Sequence, residues 1–451
     1  MGYADAHGDA DAYGLDSMAR NTLYRIAWNW HFWTGLLITP VFIVASVTGA
    51  LFVFQPEIDA WLERNWRVMS ETAPGADAWS NNALSSFEAQ VEERHPDYSL
   101  RFVNFDPDPS REWEGILQGR IASDELPTLH AYFDPYARRL LGTIDREPGL
   151  MAQIRLLHRN LWVGMPGRLM VELATCWGVV STLLGLWLWW PRGKERLWGV
   201  WLPRSRGRLR IILRDWHTVP GVWIAPFALL ILASGLLFSP VWGMAYYLGN
   251  AVTGGFPDTI LSPPLSGETT GPNRPRITIE TALARAESFE AFRGTRFSME
   301  IPRPDTDGAF FIMNVMQSPF DPLAGAYIDA TTGELIASQR KAELPRRAVL
   351  TLLFYPTHVG SLFGLPTKIL AVVCCVIFTS CGVTGIWLWW RRRPAGRWGA
   401  PRSVEGDLYP RWLFWLTVAF GAFFPVVGVT LIGMAGIDWI RTKQYGAPTR
   451  S

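Results

Sequence analysis

Residues 30–52 read WHFWTGLLITPVFIVASVTGALF, and residues 216–238 read WHTVPGVWIAPFALLILASGLLF. Laid over each other without a gap, at an offset of 186 residues, they match Trp30-His31 with Trp216-His217, Gly35 with Gly221, Pro40 with Pro226, Gly49 with Gly235 and Leu51-Phe52 with Leu237-Phe238. Each is apolar over the roughly 20 residues that a helix needs to cross a hydrocarbon core. The reading is therefore two membrane helices that are copies of one unit. A second pair repeats at an offset of 200: His158 with His358, Gly164 with Gly364, Pro166 with Pro366, Gly185 with Gly385, and Trp187-Leu188-Trp189-Trp190 with Trp387-Leu388-Trp389-Trp390. The chain runs helix, polar insert, helix, twice over. Both copies cross in the same direction, so a parallel repeat with a pseudo-twofold axis along the membrane normal is expected, with functional sites between the halves.

Composition agrees with that frame. Of 451 residues, 49% are hydrophobic and 18% charged, with a net charge of +2, which suits a membrane protein with sizeable polar parts. No basic tract interleaved with aromatics suggests a nucleic-acid groove, so no nucleic-acid partner is expected. The four cysteines, Cys176, Cys374, Cys375 and Cys381, fall inside apolar stretches and read as small packing residues. There is no Cys-x-x-Cys-His, the signature of covalently attached haem.

The expected organisation is a leader at 1–30, spans at 31–54, 217–238 and 412–436, spans with a preceding interfacial segment at 156–190 and 351–390, inserts at 55–155 and 239–350, loops at 191–216 and 391–411, and a tail at 437–451. The fifth span has no repeat partner. The loop segment PRGKERLWGVWLPRSRGRLRIILRDW holds eight Lys/Arg against two acids, and WRRRPAGRWGAPR is also basic. By the positive-inside rule both loops belong in the cytoplasm, which puts the N-terminus inside and the inserts and tail in the periplasm of a bacterial inner membrane. The first span lacks a small-residue cleavage site and reads as a retained anchor. Each insert shows a helical run (82–94, then 279–290), alternating strands (100–105 and 310–316) and a shared phrase, Tyr132-x-Asp134 with Leu140 and Tyr327-x-Asp329 with Leu335. The expected fold is an all-α membrane core, a four-helix haem-binding bundle plus a fifth helix, carrying two small, separate α+β inserts.

Four of the seven histidines occupy repeat-matched positions, and histidine in a membrane helix is costly unless it pairs with something. His31 and His217 start the two copies of one helix, at equal depth. Two imidazoles from facing helices supply both axial ligands of a haem iron, and a four-helix core is a place to bury one. His158 and His358 form the matching pair at the other face, so two non-covalent b-type haems are expected. Gly35 and Gly221 lie four residues from His31 and His217, on the same helix face, and leave room for a flat macrocycle. Gly49 and Gly235, eighteen residues from those histidines, return to that face about 27 Å further along, beside the second pair. His158 is too far from Trp190 for one straight span, and Gly164-x-Pro166-Gly167 predicts a bend between them, as Gly364-x-Pro366 does after His358. His7, His95 and His130 have no partners in the repeat and read as surface residues.

Trp-His opening one helix, Thr48-Gly49 and its variant Ser234-Gly235 near its end, Gly-x-Trp-Leu-Trp-Trp closing another, and above all Arg214-Asp215-Trp216-His217 resemble the PepSY-associated transmembrane family, over about residues 20–440. The inserts resemble PepSY domains more loosely. The resemblance implies an inner-membrane di-haem reductase passing electrons from a cytoplasmic or quinol donor, through the His31/His217 haem and then the His158/His358 haem, to a periplasmic ferric complex such as a ferric siderophore. No Gly-x-Gly-x-x-Gly in strand–helix context appears, so the donor is a separate molecule. Two other readings stay open: a PepSY-type periplasmic sensor or binding protein without redox activity, and a transporter of iron or a ferric chelate.

Overall fold

The computed structural model describes residues 6–69, 82–106, 108, 110–121, 125–191, 197–257, 263–265, 276–303, 308–314, 323–396, 399, 410–433 and 436, with side chains from residue 22 onward. The expected tail at 437–451 and the last two residues of the 310–316 strand lie outside them.

Among the described residues, four helices are long and apolar enough to cross a membrane. α1 (Ala6–Phe52) crosses over Thr22–Phe52, so helix already runs through most of the expected leader. After it come α2 (Gln55–Leu62), α3 (Ala83–Arg94), α4 (Leu150–Asn160) and the second crossing, α5 (Met165–Trp189). α6 (Leu209–Leu236) is the third crossing, followed by α7 (Trp242–Val252), α8 (Ile279–Ser288), α9 (Arg346–His358) and the fourth crossing, α10 (Leu365–Arg392). α1 packs on α5 and α10, and α6 packs on the same two helices. The four form a ring in which α1 and α6 face each other across the centre.

The expected fifth span is not one straight helix. α11 (Arg411–Phe423) has 13 residues, about 20 Å at 1.5 Å per residue, against a hydrocarbon core of about 30 Å. Phe424 leaves helical geometry at φ −114°, ψ 86°, because Pro425 disfavours the α conformation in the residue before it. Helix resumes over residues 425–433. Phe424 and Val427 are buried against Ile38, Ala174 and Trp177, so this broken helix packs on the outside of α1 and α5.

The two inserts also differ from expectation, because they are not separate domains. Strands β1 (Tyr98–Phe105), β2 (Trp113–Gly119), β3 (Leu129–Asp134) and β4 (Arg139–Asp145) form a meander in the first, and β5 (Phe297–Glu300), β6 (Phe310–Asn314), β7 (Ala324–Ile328) and β8 (Leu335–Arg340) in the second. All eight join one antiparallel sheet in the order β4-β3-β2-β1-β5-β6-β7-β8. The halves meet where β1 pairs with β5, from Phe102 opposite Glu300 to Phe105 opposite Phe297. A twofold axis passing between two strands makes them antiparallel, so the junction continues the symmetry of the membrane helices. α3 and α8 cover one face and share a single core with the sheet, including Phe87, Val103, Trp113, Phe133, Leu283, Phe297, Met299 and Ile312.

A charge network ties the sheet to α1 through α2. Arg146 on the β4 side holds Glu63, at the end of α2, with Nε to Oε1 at 2.7 Å and Nη2 to Oε2 at 2.9 Å, while Arg67 reaches Glu63 at 2.8 Å and Glu112 at 2.9 Å. The Tyr132 hydroxyl donates to Glu63 as well. His130, expected at the surface, is part of this network through Glu114 at 3.0 Å.

Candidate functional site

Each half of the bundle places two histidines by the same local logic. His31 and His217 lie within α1 and α6, on the helices that face each other. His158 and His358 end α4 and α9, and the chain then turns before α5 and α10 begin. The turns sit at Gly164 (φ 67°, ψ −136°) and Gly364 (φ 68°, ψ −140°), a backbone region essentially reserved for glycine. The predicted bends are therefore present, and they bring both histidines back over the bundle at its sheet side.

The pairs meet as the repeat implied. His31 and His217 have ring centres 6.2 Å apart with planes at 78°. His158 and His358 have ring centres 6.1 Å apart with planes at 54°. His158 contacts Ala45, fourteen residues beyond His31 on α1, so the two pairs are about 21 Å apart along the bundle.

All four imidazoles are held in one way. Nδ1 lies 2.9 Å from the Ser181 carbonyl oxygen for His31, 3.0 Å from that of Cys381 for His217, 2.9 Å from that of Ala45 for His158 and 3.0 Å from that of Ile231 for His358. These acceptors are themselves repeat mates, Ser181 with Cys381 and Ala45 with Ile231. A carbonyl only accepts, so Nδ1 carries the proton and Nε2 is left unprotonated, the form that ligates metal. No Nε2 of the four has a hydrogen-bond partner among the described residues. Hydroxyls add to the hold: Thr48 Oγ1 at 3.1 Å from His158 Nδ1, Thr384 Oγ1 at 3.3 Å from His217 and Ser181 Oγ at 3.2 Å from His31.

Four residues after every accepting carbonyl stands a glycine. A Cβ on Gly185 would lie 3.2 Å from His31 Cε1, on Gly385 3.4 Å from that of His217, on Gly49 3.2 Å from that of His158 and on Gly235 2.7 Å from that of His358. The bare backbone lets the ring lie against the helix and reach the carbonyl one turn back. Gly49 and Gly235 thus lie beside the second histidine pair. Gly35 and Gly221 do not touch an imidazole: a Cβ there would meet Ser181 Oγ at 4.0 Å and Cys381 Sγ at 3.4 Å. Sequence reasoning aligned Gly185 and Gly385 but gave them no role; it read Cys381 as a packing residue and passed over Ser181, Ala45 and Ile231. The legible signal was the glycine four residues after each of those repeat-matched positions.

Two buried acids of the membrane region serve structure. Asp215 is fully buried and held by Arg204 at 2.6 Å and Arg214 at 2.9 Å, which locks the basic loop onto α6. Glu172, 1% exposed, accepts the backbone N–H groups of Val241 and Trp242 at 3.0 and 2.8 Å and so caps α7. The four cysteines are thiols.

The region described as the PepSY-associated TM region matches residues 28–392, which takes in all four histidines, the ring of helices and the eight-stranded sheet. The chain belongs to this family. No curated protein matches it. Arg214-Asp215, which precede Trp216-His217, have a physical role as the lock on the loop before His217.

The donor set also bears on which group fits. No three His, Cys, Asp or Glu side chains converge among the described residues, so a bare ion would find two nitrogens and little else. Two opposed imidazoles suit an iron whose other four ligands arrive with a macrocycle. Ring centres 6.2 and 6.1 Å apart, with every Nε2 free of a hydrogen bond among the described residues, suit that donor set.

Proposed function

We propose that this protein is a di-haem b oxidoreductase of the bacterial inner membrane, passing electrons from a cytoplasmic or quinol donor to a ferric complex, a ferric siderophore by preference, on the side of the sheet. One observation carries the reading: two imidazole pairs with ring centres 6.2 and 6.1 Å apart, each Nδ1 fixed on a carbonyl and each Nε2 unused. His31 and His217 would hold one haem, and His158 and His358 the other.

Bound there, haem supplies a one-electron Fe(III)/Fe(II) couple at each end of the bundle. The chain's own part is to bind and orient. The carbonyls of Ser181, Cys381, Ala45 and Ile231 fix the tautomer and raise the basicity of the ligating nitrogen, and the glycines set how deep each ring sits. The ring of α1, α5, α6 and α10 holds the two pairs about 21 Å apart, and the sheet stands where the acceptor would arrive. Each electron delivered there converts one Fe(III) of the complex to Fe(II), which hard oxygen ligands hold less tightly. A two-electron donor such as a quinol would reduce two ferric ions and release its two protons on its own side. Glu172, the buried acid of α5, is already engaged as the cap of α7, so it gives no support to a transport route.

The test is the reduced-minus-oxidised optical spectrum of the detergent-purified protein with haem counted per chain, for the wild type and for His31→Ala, His217→Ala, His158→Ala and His358→Ala. The expected result is two non-covalent haems, with one lost on removal of either member of a pair. A colourless chain expressed with ample haem would overturn the proposal and leave a sensor or binding role.

A further inference from the structure

We propose that Arg210 and Arg392 form a carboxylate-binding site that clamps the propionate groups of the prosthetic group between His31 and His217; this rests on the di-haem reading.

Arg210 precedes His217 by seven residues on α6, and Arg392 follows Gly385 by seven on α10. Seven residues are close to two helical turns. Arg210 therefore stands on the same face as His217, and Arg392 on the same face as the glycine against which His217 lies. Both are about 10.5 Å further toward the end away from the sheet. α6 and α10 pack together, which brings the two arginines to the same end of the bundle. Arg392 also lies over Trp28 at 5.3 Å and over Phe32, the neighbour of His31, at 5.9 Å. It thus reaches from α10 to α1 beside His31.

Neither arginine has an acidic partner among the described residues. The buried acid at this end, Asp215, is taken by Arg204 and Arg214. Two cations held side by side without an anion repel, and an anion between them reverses the sign of that interaction. A guanidinium fork matches a carboxylate in two parallel hydrogen bonds, and a b-type haem carries two carboxylates on one edge. The site is one-sided. The repeat mate of Arg210 is Tyr24, which packs on Trp187 at 6.2 Å; the mate of Arg392 is Arg192, outside the described residues. A lipid headgroup phosphate shares the same anion chemistry, and the experiment separates the two sources.

The His158→Ala variant, which leaves only the pair at the far end, is depleted of haem in a neutral detergent and titrated with haem b and with its dimethyl ester. We expect the free acid to bind at least tenfold tighter than the diester. With Arg210→Gln and Arg392→Gln added, the two should bind alike, and the midpoint potential of the bound haem should fall, because nearby cations favour the less positive Fe(II) state. The Arg210→Lys/Arg392→Lys variant keeps the charge without the fork and should fall between. A preference for the free acid unchanged by removing both arginines overturns the clamp. A preference lost only when anionic lipid is supplied assigns the arginines to headgroups and overturns it as well. If the parent variant binds neither porphyrin while the wild type also purifies without haem, it is the di-haem reading that fails.

Discussion

An imidazole can donate to a helix carbonyl only where the residue one turn further on leaves the approach open, and all four histidines meet that condition through glycine. The clearances rank the consequences of adding one methyl. Gly235→Ala puts a carbon 2.7 Å from His358 Cε1, closer than side chains tolerate, so the ring must move; the expected result is one haem per chain in place of two and destabilisation of about 1–3 kcal/mol from overpacking. Gly49→Ala and Gly185→Ala, each at 3.2 Å, should weaken the sheet-side and far-side haem respectively without abolishing either. Gly249→Ala, on α7 with nothing within 4 Å, serves as the control and should retain both within error. Haem stoichiometry and thermal unfolding of the purified variants check the series. A result in which Gly249→Ala is as damaging as Gly235→Ala would contradict the cradle.

At the scale of the element, the corners matter more than the helices they join. Gly164 and Gly364 adopt φ near +67° with ψ near −138°, which an alanine reaches at a cost of about 1–3 kcal/mol. Gly164→Ala is expected to lower the unfolding temperature and release the sheet-side haem, because α4 carries His158 and can no longer fold back over α1. The far-side haem should persist. The same logic explains the interrupted helix at Phe424. Pro425 removes one N–H and bars the α conformation just before it, so Pro425→Ala should lengthen the helical segment, read as a rise in helical circular dichroism without loss of either haem.

At the scale of the whole molecule, the sheet that joins the two halves titrates in two opposed ways. Burial would raise the Glu63 carboxyl, but hydrogen bonds from Arg146, Tyr132 and Arg67 outweigh it and bring the pKa down to about 2. A lowered folded pKa gives stability that is present above the unfolded value near 4.5 and lost as pH falls toward 2. Burial, followed by the neighbouring Glu92 and Glu280 carboxylates, pushes Glu88 up to about 7. That group contributes stability that is complete below about 4.5 and lost as pH rises through 7. Thermal unfolding of the purified protein should therefore show highest stability in mildly acidic solution, and Glu88→Gln should flatten the decline between pH 5 and 7. An unchanged slope in that variant would remove Glu88 as its cause. Glu280 belongs to α8 and also accepts from Ser85 at the start of α3, so this titration acts at the seam between the two halves.

The sequence by itself determined the parallel repeat, the four strongly apolar crossings, the bends after His158 and His358, and the pairing of the histidines. Each of these follows from residue types at fixed offsets along one chain, and local rules for length, helical phase and glycine or proline backbone carry them into structure. The expected span at 412–436 misled because its hydropathy is continuous while its backbone is not, and the effect of Pro425 is steric, invisible to apolarity. Only the tertiary structure decided that the inserts form one sheet, since the meeting of β1 with β5 depends on two edges about 200 residues apart being carried to the same place by the bundle. It also decided which glycines cradle which rings. Distance along α1 and α6 placed Gly49 and Gly235 beside the second pair, but that each cradles one particular ring, and that Gly185 and Gly385 cradle the other two, depends on helices that only folding brings together.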